Sequence, residues 1–436
     1  MSTSILQIIF WACVAAVAYH YAGYPLLLFI LSVFSQARSD FLYLIRRGSR
    51  RRPRQADCVP RVALLMSVYN EEAVIQAKVR NTLEIDYPAG RLEILFGLDA
   101  PSDTTAKLLS DVQSSQSGRI NVFHFQARRG KLAVLCDLAQ RTSAEILVFT
   151  DANTMLERNC IRNLARHFAD QRVGAVSGEE VRVVAAGTDP SAESLYWRYE
   201  SAVKILESRL NCSLGGNGSA LAVRHSLFHP RKQSIVEDFQ IPLEIRFEGH
   251  RVIYDPEAVA IEEIAPTFST QFARRVRISA GNYQTLFGNL EYLNPLKGFL
   301  AFSFFSHRVL RWLVPLFLVV AFSLSIALFA LPGFVWLAAA QCIFYSMAVL
   351  GYWLKKQGRR ARLFSLPFHF CAMNAALLLG LFAYLSGRQS VTWKSTPRQM
   401  PAEMLLNNTG TTDGIGQRRS DSLSGMPEGQ TAFESE

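Results

Sequence analysis

The sequence contains few residues that could form disulfides or bind a structural metal. Its seven cysteines include no Cys-x-x-Cys pair and no metal-ligand spacing, so we expect reduced thiols with structural roles. Charged residues make up only 19% of the 436-residue chain. The GxxxxGK(S/T) pattern of a P-loop and internal repeats are both absent, so any nucleotide site must rest on other motifs.

Hydrophobic residues make up 50% of the chain and are concentrated in long runs near both ends. Residues 4–34 form one nearly uncharged run, long enough for a tilted helix across a bilayer core of roughly 30 Å. A cleaved signal peptide is excluded because a basic start is missing and the apolar run is too long. Three more membrane spans are predicted near residues 309–331, 334–354 and 363–386.

The net charge of +10 comes largely from a few clusters of arginine and lysine. Residues 46–54 hold six arginines, and residues 355–362 form a second basic loop. Both clusters flank apolar spans, so the positive-inside rule places them in the cytoplasm beside anionic membrane lipids. We therefore expect an integral protein of the cell (inner) membrane whose middle domain is cytoplasmic, and no nucleic-acid partner.

The sequence divides into six segments. They are an N-terminal transmembrane helix (1–40), a basic cytoplasmic linker (41–59), an α/β domain (60–285), an interfacial segment (286–308), three transmembrane helices (309–386) and a largely disordered tail (387–436). The interfacial segment is read either as a helix in the membrane interface or as a loop around a buried aromatic cluster.

Strand-like and helix-like stretches alternate in the middle domain, which predicts a mostly parallel sheet built from right-handed crossovers. The first four predicted strands are residues 62–68, 92–98, 120–125 and 145–149. Predicted helices separate them at residues 72–83, 104–110 and 131–141. Later strands are predicted at 173–177, 218–223 and 252–261, with a long helix at 191–210.

Carboxylates gather where the predicted strands end. The fourth strand runs into Asp151 and Asn153, and the second runs into Asp99. Because parallel strands end at one edge of a sheet, we expect these acids to repel each other unless a cation or a donor lies among them. Lys131, after Gly130 at a predicted helix start, is either part of a diphosphate seat or a solvated surface lysine. By itself, Asp151 is equally consistent with a helix cap.

Two later stretches add a candidate base and candidate phosphate ligands. Glu237 and Asp238 lie between apolar residues, where a carboxylate could be held as a general base. Asp238 could equally cap the helix predicted near Ile241. Arg274 and Arg277 share one helical face, and their planar forks suit pyrophosphate. A basic helix resting on lipid headgroups is the alternative reading of these arginines.

In this order, the motifs resemble family 2 glycosyltransferases, within the membrane-embedded branch that includes cellulose, hyaluronan and poly-N-acetylglucosamine synthases. The resemblance covers residues 60–290 and is carried by Tyr69-Asn70-Glu71-Glu72, Asp99 to Asp103, Gly130-Lys131, Asp151-Ala152-Asn153, Gly215-Gly216-Asn217-Gly218, Glu237-Asp238 and Gln271 to Arg277. It implies a GT-A-like fold and inverting transfer from a nucleotide-diphosphate sugar, UDP-linked in most relatives. The implied acceptor is a growing polysaccharide or lipid-linked glycan, with polysaccharide-export proteins as partners in exopolysaccharide or cell-surface glycan biosynthesis.

The resemblance also implies a role for each matching residue. Six would bind the nucleotide-sugar: Glu71, Asp99, Lys131, Asp151, Arg274 and Arg277. Four would line the acceptor side: Gly216, Asn217, Gly218 and Glu237. Asp151 and Asn153 would hold the Mg²⁺ or Mn²⁺ that bridges the diphosphate. Asp238 would be the base that deprotonates the acceptor hydroxyl.

Two positions depart from the pattern of the family. Asn153 replaces the second aspartate of the Asp-x-Asp motif, which predicts weaker metal binding because the amide oxygen carries no formal charge. Arg275 stands where processive members carry a tryptophan that would stack on the growing chain. Two alternatives to a polymerising synthase therefore stay open: an enzyme that adds one sugar to a lipid-linked acceptor, and a catalytically weak partner subunit of a synthase complex.

Overall fold

The computed structural model of the chain describes residues 3–46, 59–115, 118–183, 191–229, 234–263, 267–359 and 362–387. Most of the predicted basic linker, from residue 47 to residue 58, and the predicted tail beyond residue 387 lie outside these described residues. An eight-stranded sheet occupies the middle of the chain, and long apolar helices precede and follow it.

The helices and strands fall close to their predicted positions. The strands are β1 (Val62–Val68), β2 (Leu92–Asp99), β3 (Ile120–Phe125), β4 (Ile146–Phe149), β5 (Thr154–Leu156), β6 (Val173–Val183), β7 (Leu221–Arg224) and β8 (Arg251–Glu263). The α-helices are α1 (Thr3–Ala18), α2 (Tyr24–Arg46), α3 (Ile75–Leu83), α4 (Thr105–Ser115), α5 (Lys131–Ala139), α6 (Cys160–Ala165), α7 (Ser191–Arg209), α8 (Glu237–Phe247), α9 (Phe268–Gly288), α10 (Phe299–Ser303), α11 (Leu310–Ala327), α12 (Phe334–Lys356) and α13 (Arg362–Leu385).

Strand β1 lies inside the sheet and is buried along its whole length. Val62, Leu64 and Met66 pack in one hydrophobic cluster, while Ala63 and Leu65 pack in a second cluster. Successive side chains of a strand point to opposite faces, so these two clusters are the cores on the two sides of the sheet. A strand covered on both faces must be apolar throughout, which explains why its sequence shows no alternation.

The strands are arranged in the order β3-β2-β1-β4-β7-β6-β8-β5. The first four are parallel to one another, and β6 is parallel to β8. Strand β7 runs antiparallel to β4 and β6, and β5 runs antiparallel to β8. The predicted α/β class is confirmed, and the second half of the sheet is mixed rather than parallel. The sequence predicts no strand at β5, because three residues are too short to show a period.

Among the described residues, four helices are long and apolar enough to cross a membrane: Thr3–Ile45, Phe299–Ala327, Phe334–Lys356 and Arg362–Leu385. The first is a single helix of 43 residues, in which a π-helical turn at Tyr19–Gly23 joins α1 to α2. The second begins at Phe299 rather than near residue 309, because α10, a π-helical turn at Phe304–Val309 and α11 are continuous. The second half of the predicted interfacial segment therefore belongs to a candidate span.

Helix α9 connects the sheet domain to the apolar helices by lying against α13. A Cβ added at Gly380 would collide with the side chain of Ser279, so glycine is what allows the two helices to approach this closely. Near the C-terminal end of α9, the hydroxyl group of Tyr283 donates to the backbone carbonyl of Trp312, 2.6 Å away. The arginines of α9 are therefore carried on a helix that is fixed to two candidate membrane spans.

Candidate active site

Asp99 is the last residue of β2 and has no exposed surface. Its carboxylate oxygens accept hydrogen bonds from the backbone N–H groups of Arg129, at 2.7 Å, and Gly130, at 3.0 Å. Gly130 has a φ of 90°, which glycine adopts without strain. Asp99 thus fixes the loop before α5 through both oxygens of its carboxylate.

Lys131 is the first residue of α5 and lies between two carboxylates. Its Nζ is 2.6 Å from Oδ1 of Asp151 and 2.7 Å from Oε1 of Glu237. Burial disfavours the charged ammonium, but these carboxylates outweigh burial and raise the pKa of Lys131 above its usual value. With only 17% of its side chain exposed, it is not the solvated surface lysine that the sequence left open. It supplies the predicted positive charge among the strand-end acids.

Asp238 is the second residue of α8 and is held by the glycine-rich loop that precedes β7. Its Oδ2 accepts from the N–H of Gly218 at 3.2 Å, and its backbone carbonyl accepts from the N–H of Gly216 at 3.0 Å. Burial, followed by the charge of Glu237, raises the pKa of Asp238 to about 6, while Lys131 acts against the shift. Such a carboxylate is ionised at neutral pH and basic enough to accept a proton. We call four residues the acidic centre: Lys131, Asp151, Glu237 and Asp238.

The glycine-rich loop is anchored through Asn217. A Cβ at Gly216 would lie 3.1 Å from the backbone oxygen of Asp238, which is tighter than an ordinary contact, so glycine favours the close approach of the loop to α8. The Nδ2 of Asn217 donates to the backbone oxygen of Gly178 at 2.7 Å, and Nζ of Lys204 donates to its Oδ1 at 2.8 Å. The side chain of Asn217 therefore ties the loop to β6 and α7 and leaves the loop backbone beside Asp238.

Helix α9 brings both predicted arginines to the site. Nη1 of Arg274 lies 2.9 Å from Oε1 of Glu262 in β8, and the charge of Glu262 raises the pKa of Arg274. Arg277 is half-buried, and burial lowers its pKa. The three carboxylates of the acidic centre act in the opposite direction, so Arg277 lies within electrostatic range of that centre.

The loops that follow β1 and β2 are joined by hydrogen bonds. Asn70 has a φ of 50°, and its Oδ1 accepts from the N–H of Ser102 at 2.8 Å. The backbone N–H of Glu71 donates to Oγ1 of Thr105, the first residue of α4, at 2.9 Å. The guanidinium carbon of Arg128 lies 3.6 Å from the centre of the Tyr69 ring, a stacked arrangement. Glu71 is thus held in a rigid double loop beside an arginine–aromatic pair.

Asp151 and Asn153 form the turn in which the sequence places a divalent cation. Asp151 keeps 28% of its side-chain surface exposed, and Nδ2 of Asn153 donates to Glu262 at 2.9 Å. Oxygen ligands suit Mg²⁺ and Mn²⁺, which use one or two protein groups with water and substrate phosphates. Over the part of the chain that the structure describes, no three His, Cys, Asp or Glu side chains are grouped to hold a metal. The carboxylate of Asp151 and the amide oxygen of Asn153 are a donor set that fits a cation shared with a diphosphate.

Lys78 binds the residues on both sides of the Asp151–Asn153 turn, although it belongs to no sequence motif. It is completely buried in α3, and its Nζ donates to Oγ1 of Thr150 at 3.3 Å and to the backbone oxygen of Thr154. Burial lowers the pKa of Lys78 to about 7, opposed by the charge of Asp151. The lysine thus holds both ends of the turn. A lysine facing the core of an amphipathic helix was the signal available in the sequence.

Two sequence-family models match this chain. Glycosyl transferase family 2 matches residues 63–227, and Glycosyl transferase family group 2 matches residues 146–387, more than half of the chain. The chain belongs to glycosyl transferase family group 2. The resemblance drawn from the sequence motifs is confirmed, and the protein is a family 2 glycosyltransferase.

Several transferases are similar to this glycosyltransferase. A beta-monoglucosyldiacylglycerol synthase of Trichormus variabilis is 26% identical over 52% of this chain and 50% of its own length. An N-acetylglucosaminyltransferase of Rhizobium sp. is 21% identical over 76% of this chain and 75% of its own. The chain thus spans about half the length of the first relative. A mannosyltransferase of Pyrobaculum calidifontis, solved with GDP-Man and Mn²⁺, matches with a TM-score of 0.65 and 21% identity, covering 87% of this chain and all of that one. That likeness shows the GT-A fold.

The transferase domain meets the candidate membrane spans at a buried charged cluster on α7, which the sequence reasoning missed. Glu200 lies 3.0 Å from Nη1 of Arg311 and 3.3 Å from Nη1 of Arg308. About two turns of α7 further on, Glu207 accepts from the hydroxyl group of Tyr24 at 2.8 Å. Charged residues at the start of an apolar span were the available signal, because such residues usually face a partner inside the protein.

Arg308 also contacts the residues around the base. Its guanidinium carbon lies 5.3 Å from the centre of the Phe239 ring, and Nη2 lies 3.3 Å from the position of a Cβ at Gly215. Phe239 follows Asp238 directly, and Gly215 opens the glycine-rich loop. A candidate membrane span is therefore in contact with both sequence elements that hold the carboxylate of Asp238.

Proposed function

We propose that this glycosyltransferase moves a sugar from a nucleotide-diphosphate sugar to a hydroxyl group of a membrane-bound acceptor, with inversion at the anomeric carbon. The observation that carries the proposal is the setting of Asp238. Its pKa is raised to about 6, and it lies next to Lys131 across the backbone of Gly218. The adjoining Phe239 packs on Trp312, with ring centroids 5.9 Å apart. A base would thus lie between the donor residues and the membrane helices.

On the donor side, the proposal assigns charge neutralisation to Lys131, Arg274 and Arg277, which would bind diphosphate oxygens. Asp151 and Asn153 would hold Mg²⁺ or Mn²⁺, which when bound offsets the charge of the diphosphate. Glu71 would contact the nucleoside, and Asp99 would act through the backbone that it fixes. Preorganised positive groups at a leaving group are an effective way to lower the barrier of such a transfer.

On the acceptor side, the carboxylate of Asp238 accepts the hydroxyl proton while the hydroxyl oxygen bonds to the anomeric carbon. The bond from that carbon to the diphosphate oxygen breaks, and its electron pair leaves with the nucleoside diphosphate. The base and the acceptor would be held in position by the residues of the acceptor side, which are Glu237, Gly216, Asn217 and Gly218. A single displacement of this kind inverts the configuration at the anomeric carbon.

Within this function we favour the addition of one sugar to a lipid acceptor. Arg275 occupies the position at which processive relatives carry the stacking tryptophan. The Trichormus variabilis relative is named for one glucose in beta linkage on diacylglycerol. A beta linkage is also what inversion of an alpha-linked nucleotide-sugar would give.

A growing polysaccharide is the second candidate acceptor, because the Rhizobium N-acetylglucosaminyltransferase aligns over 75% of its own length. In that case the product would be an exopolysaccharide and polysaccharide-export proteins would be partners. A catalytically weak subunit is disfavoured, since Lys131 is paired with Glu237 and the charges of both residues act on the carboxylate of Asp238.

We place the chain in the cell (inner) membrane with its transferase domain in the cytoplasm. The basic clusters at 46–54 and 355–362 support this orientation. Large apolar side chains on the candidate spans support contact with lipid, since Trp336 is 77% exposed and Phe382 is 58% exposed.

The test uses the purified full-length chain in nanodiscs made from native lipid extract. It is offered a panel of radiolabelled UDP- and GDP-sugars with Mn²⁺, with Mg²⁺ or with EDTA. We expect one donor to label a lipid that carries a single sugar, even with donor in excess. A ladder of longer products would favour the polysaccharide instead, and no transfer from any donor with either metal would remove the enzymatic proposal.

The pKa of Asp238 predicts the pH dependence of transfer. The carboxylate is the form that accepts a proton, so activity is present above a pKa of about 6 and is lost as the pH falls through it. We expect kcat/KM to drop about tenfold per pH unit on that acidic limb. A limb near pH 4, the usual range of an aspartate, would contradict the assignment.

A further inference from the structure

Glu262, near the end of β8, joins the proposed metal turn to the arginine helix. It is 4% exposed, and its Oε1 accepts from Nδ2 of Asn153 and from Nη1 of Arg274, each at 2.9 Å. A carboxylate can only accept here, so the nitrogen end of the Asn153 amide must face it. The carbonyl oxygen Oδ1 is thereby turned away from Glu262, and its orientation is fixed.

An aspartate at position 153 could not make this contact. Both side chains would be acceptors, and two negative charges would lie about 3 Å apart. One of them would be the buried carboxylate of Glu262. The cations that act on Glu262 are already paired with carboxylates. Arg274 and Arg182 face it as cations, but Arg182 is already bonded to Glu180 at 2.6 Å.

We propose that Glu262 is a positioning residue for Asn153, and that the amide at 153 is matched to Glu262 rather than a weakened aspartate. The hydrogen bond holds Oδ1 in place as an oxygen ligand for the cation. The same carboxylate oxygen also holds Arg274, so the metal turn and the leaving-group helix share one anchor. The inference rests on the proposed function, because it takes the Asp151–Asn153 turn as the metal site.

The effect of Asn153→Asp on Mn²⁺ affinity should change direction when Glu262 is replaced by glutamine. In the wild-type background, Asn153→Asp should lower Mn²⁺ affinity by on the order of tenfold, a coupling typical of residues in contact. In a Glu262→Gln background, the same change should raise Mn²⁺ affinity, because the repulsion is gone and a carboxylate is the better metal ligand. A conventional Asp-x-Asp motif would instead gain affinity from Asn153→Asp in both backgrounds.

The four proteins are compared as full-length chains in nanodiscs. Mn²⁺ affinity is measured from the electron paramagnetic resonance signal of free Mn²⁺, with saturating UDP and in parallel with GDP. The thermal midpoint is measured in EDTA, where Asn153→Asp should lower it by on the order of a few degrees and the double variant should recover. Asn159→Asp, the same change at an exposed residue before α6, is the matched control and should alter neither quantity.

Tighter Mn²⁺ binding by Asn153→Asp than by wild type would overturn the proposal. So would a double variant whose midpoint in EDTA is no higher than that of Asn153→Asp. A wild-type protein that binds no Mn²⁺ would overturn the ligand role of Asn153, and the thermal comparison would then decide only whether its amide is matched to Glu262. Failure of the proposed function would show differently, as an absence of sugar transfer by the wild type, and would leave the comparison in EDTA unaffected.

Discussion

Replacing Asp238 by asparagine is expected to slow sugar transfer by about 10²- to 10⁴-fold, the usual contribution of a general base. The amide keeps the shape of the side chain, and its oxygen can still accept from the N–H of Gly218, 3.2 Å from Oδ2 in the wild type. It cannot take the proton of the acceptor hydroxyl. The measurement is the single-turnover rate at saturating donor, with donor affinity determined on the same preparation.

Donor affinity should stay within about threefold of wild type, because the nucleotide-sugar residues lie on other elements. Asp111→Asn is the matched control, since Asp111 is exposed on α4, away from the acidic centre. It should transfer sugar at the wild-type rate. If Asp238→Asn also does so, Asp238 is not the base.

Replacing Glu200 by glutamine should cause a large loss of stability, about 3–5 kcal/mol. Glu200 is the shared partner of Arg311 at 3.0 Å, Arg308 at 3.3 Å and His307 at 3.6 Å. Its side chain is 5% exposed, so a neutral amide would leave buried arginines without their main counter-charge. The free energy of unfolding is measured by urea titration in detergent, with tryptophan fluorescence as the probe.

Sugar transfer should fall as well, because Arg308 also contacts Phe239 and the glycine-rich loop. Glu84→Gln is the control, since Glu84 is exposed at the end of α3. It should change the free energy of unfolding by less than about 0.5 kcal/mol. Equal unfolding energies for the two variants would show that the α7 cluster does not hold the spans to the domain.

Local sequence patterns were sufficient to predict the positions of most strands and helices. Strands β1 and β3 occupy the predicted residues, because β1 is an apolar run broken only by Ser67 and β3 is rich in β-branched and aromatic residues. Strand β7 reverses the parallel order, and nothing within its four residues encodes the direction of its neighbours. The second span starts earlier than predicted, because His307 and Arg308 interrupt the apolar pattern while facing α7 and not lipid.

The site was predictable only where its residues belong to motifs. The structure brings Lys131 to Asp151, as the strand-end argument required, and places the separately predicted Glu237 and Asp238 beside them. The sequence did not predict that Asp99 is buried and accepts two backbone hydrogen bonds, because both features depend on the later loop at 129–130.

Residues that act through distant partners left little trace in the sequence. Glu262 is 109 positions from Asn153, and Lys78 is 72 positions from Thr150. Such pairs depend on how strands and helices pack, and neither residue lies in a motif of its own. The departure at Asn153 was visible in the sequence, but the partner that gives it a physical reason was not.

The role proposed for Asp238 is that of the base in a single displacement at this site. It is tested most directly by the anomeric configuration of the first product, read by proton NMR after transfer from an alpha-configured nucleotide-sugar. The expected product is a beta-linked sugar on the acceptor. An alpha-linked product would require a covalent sugar–enzyme intermediate or another retaining route and would contradict the account.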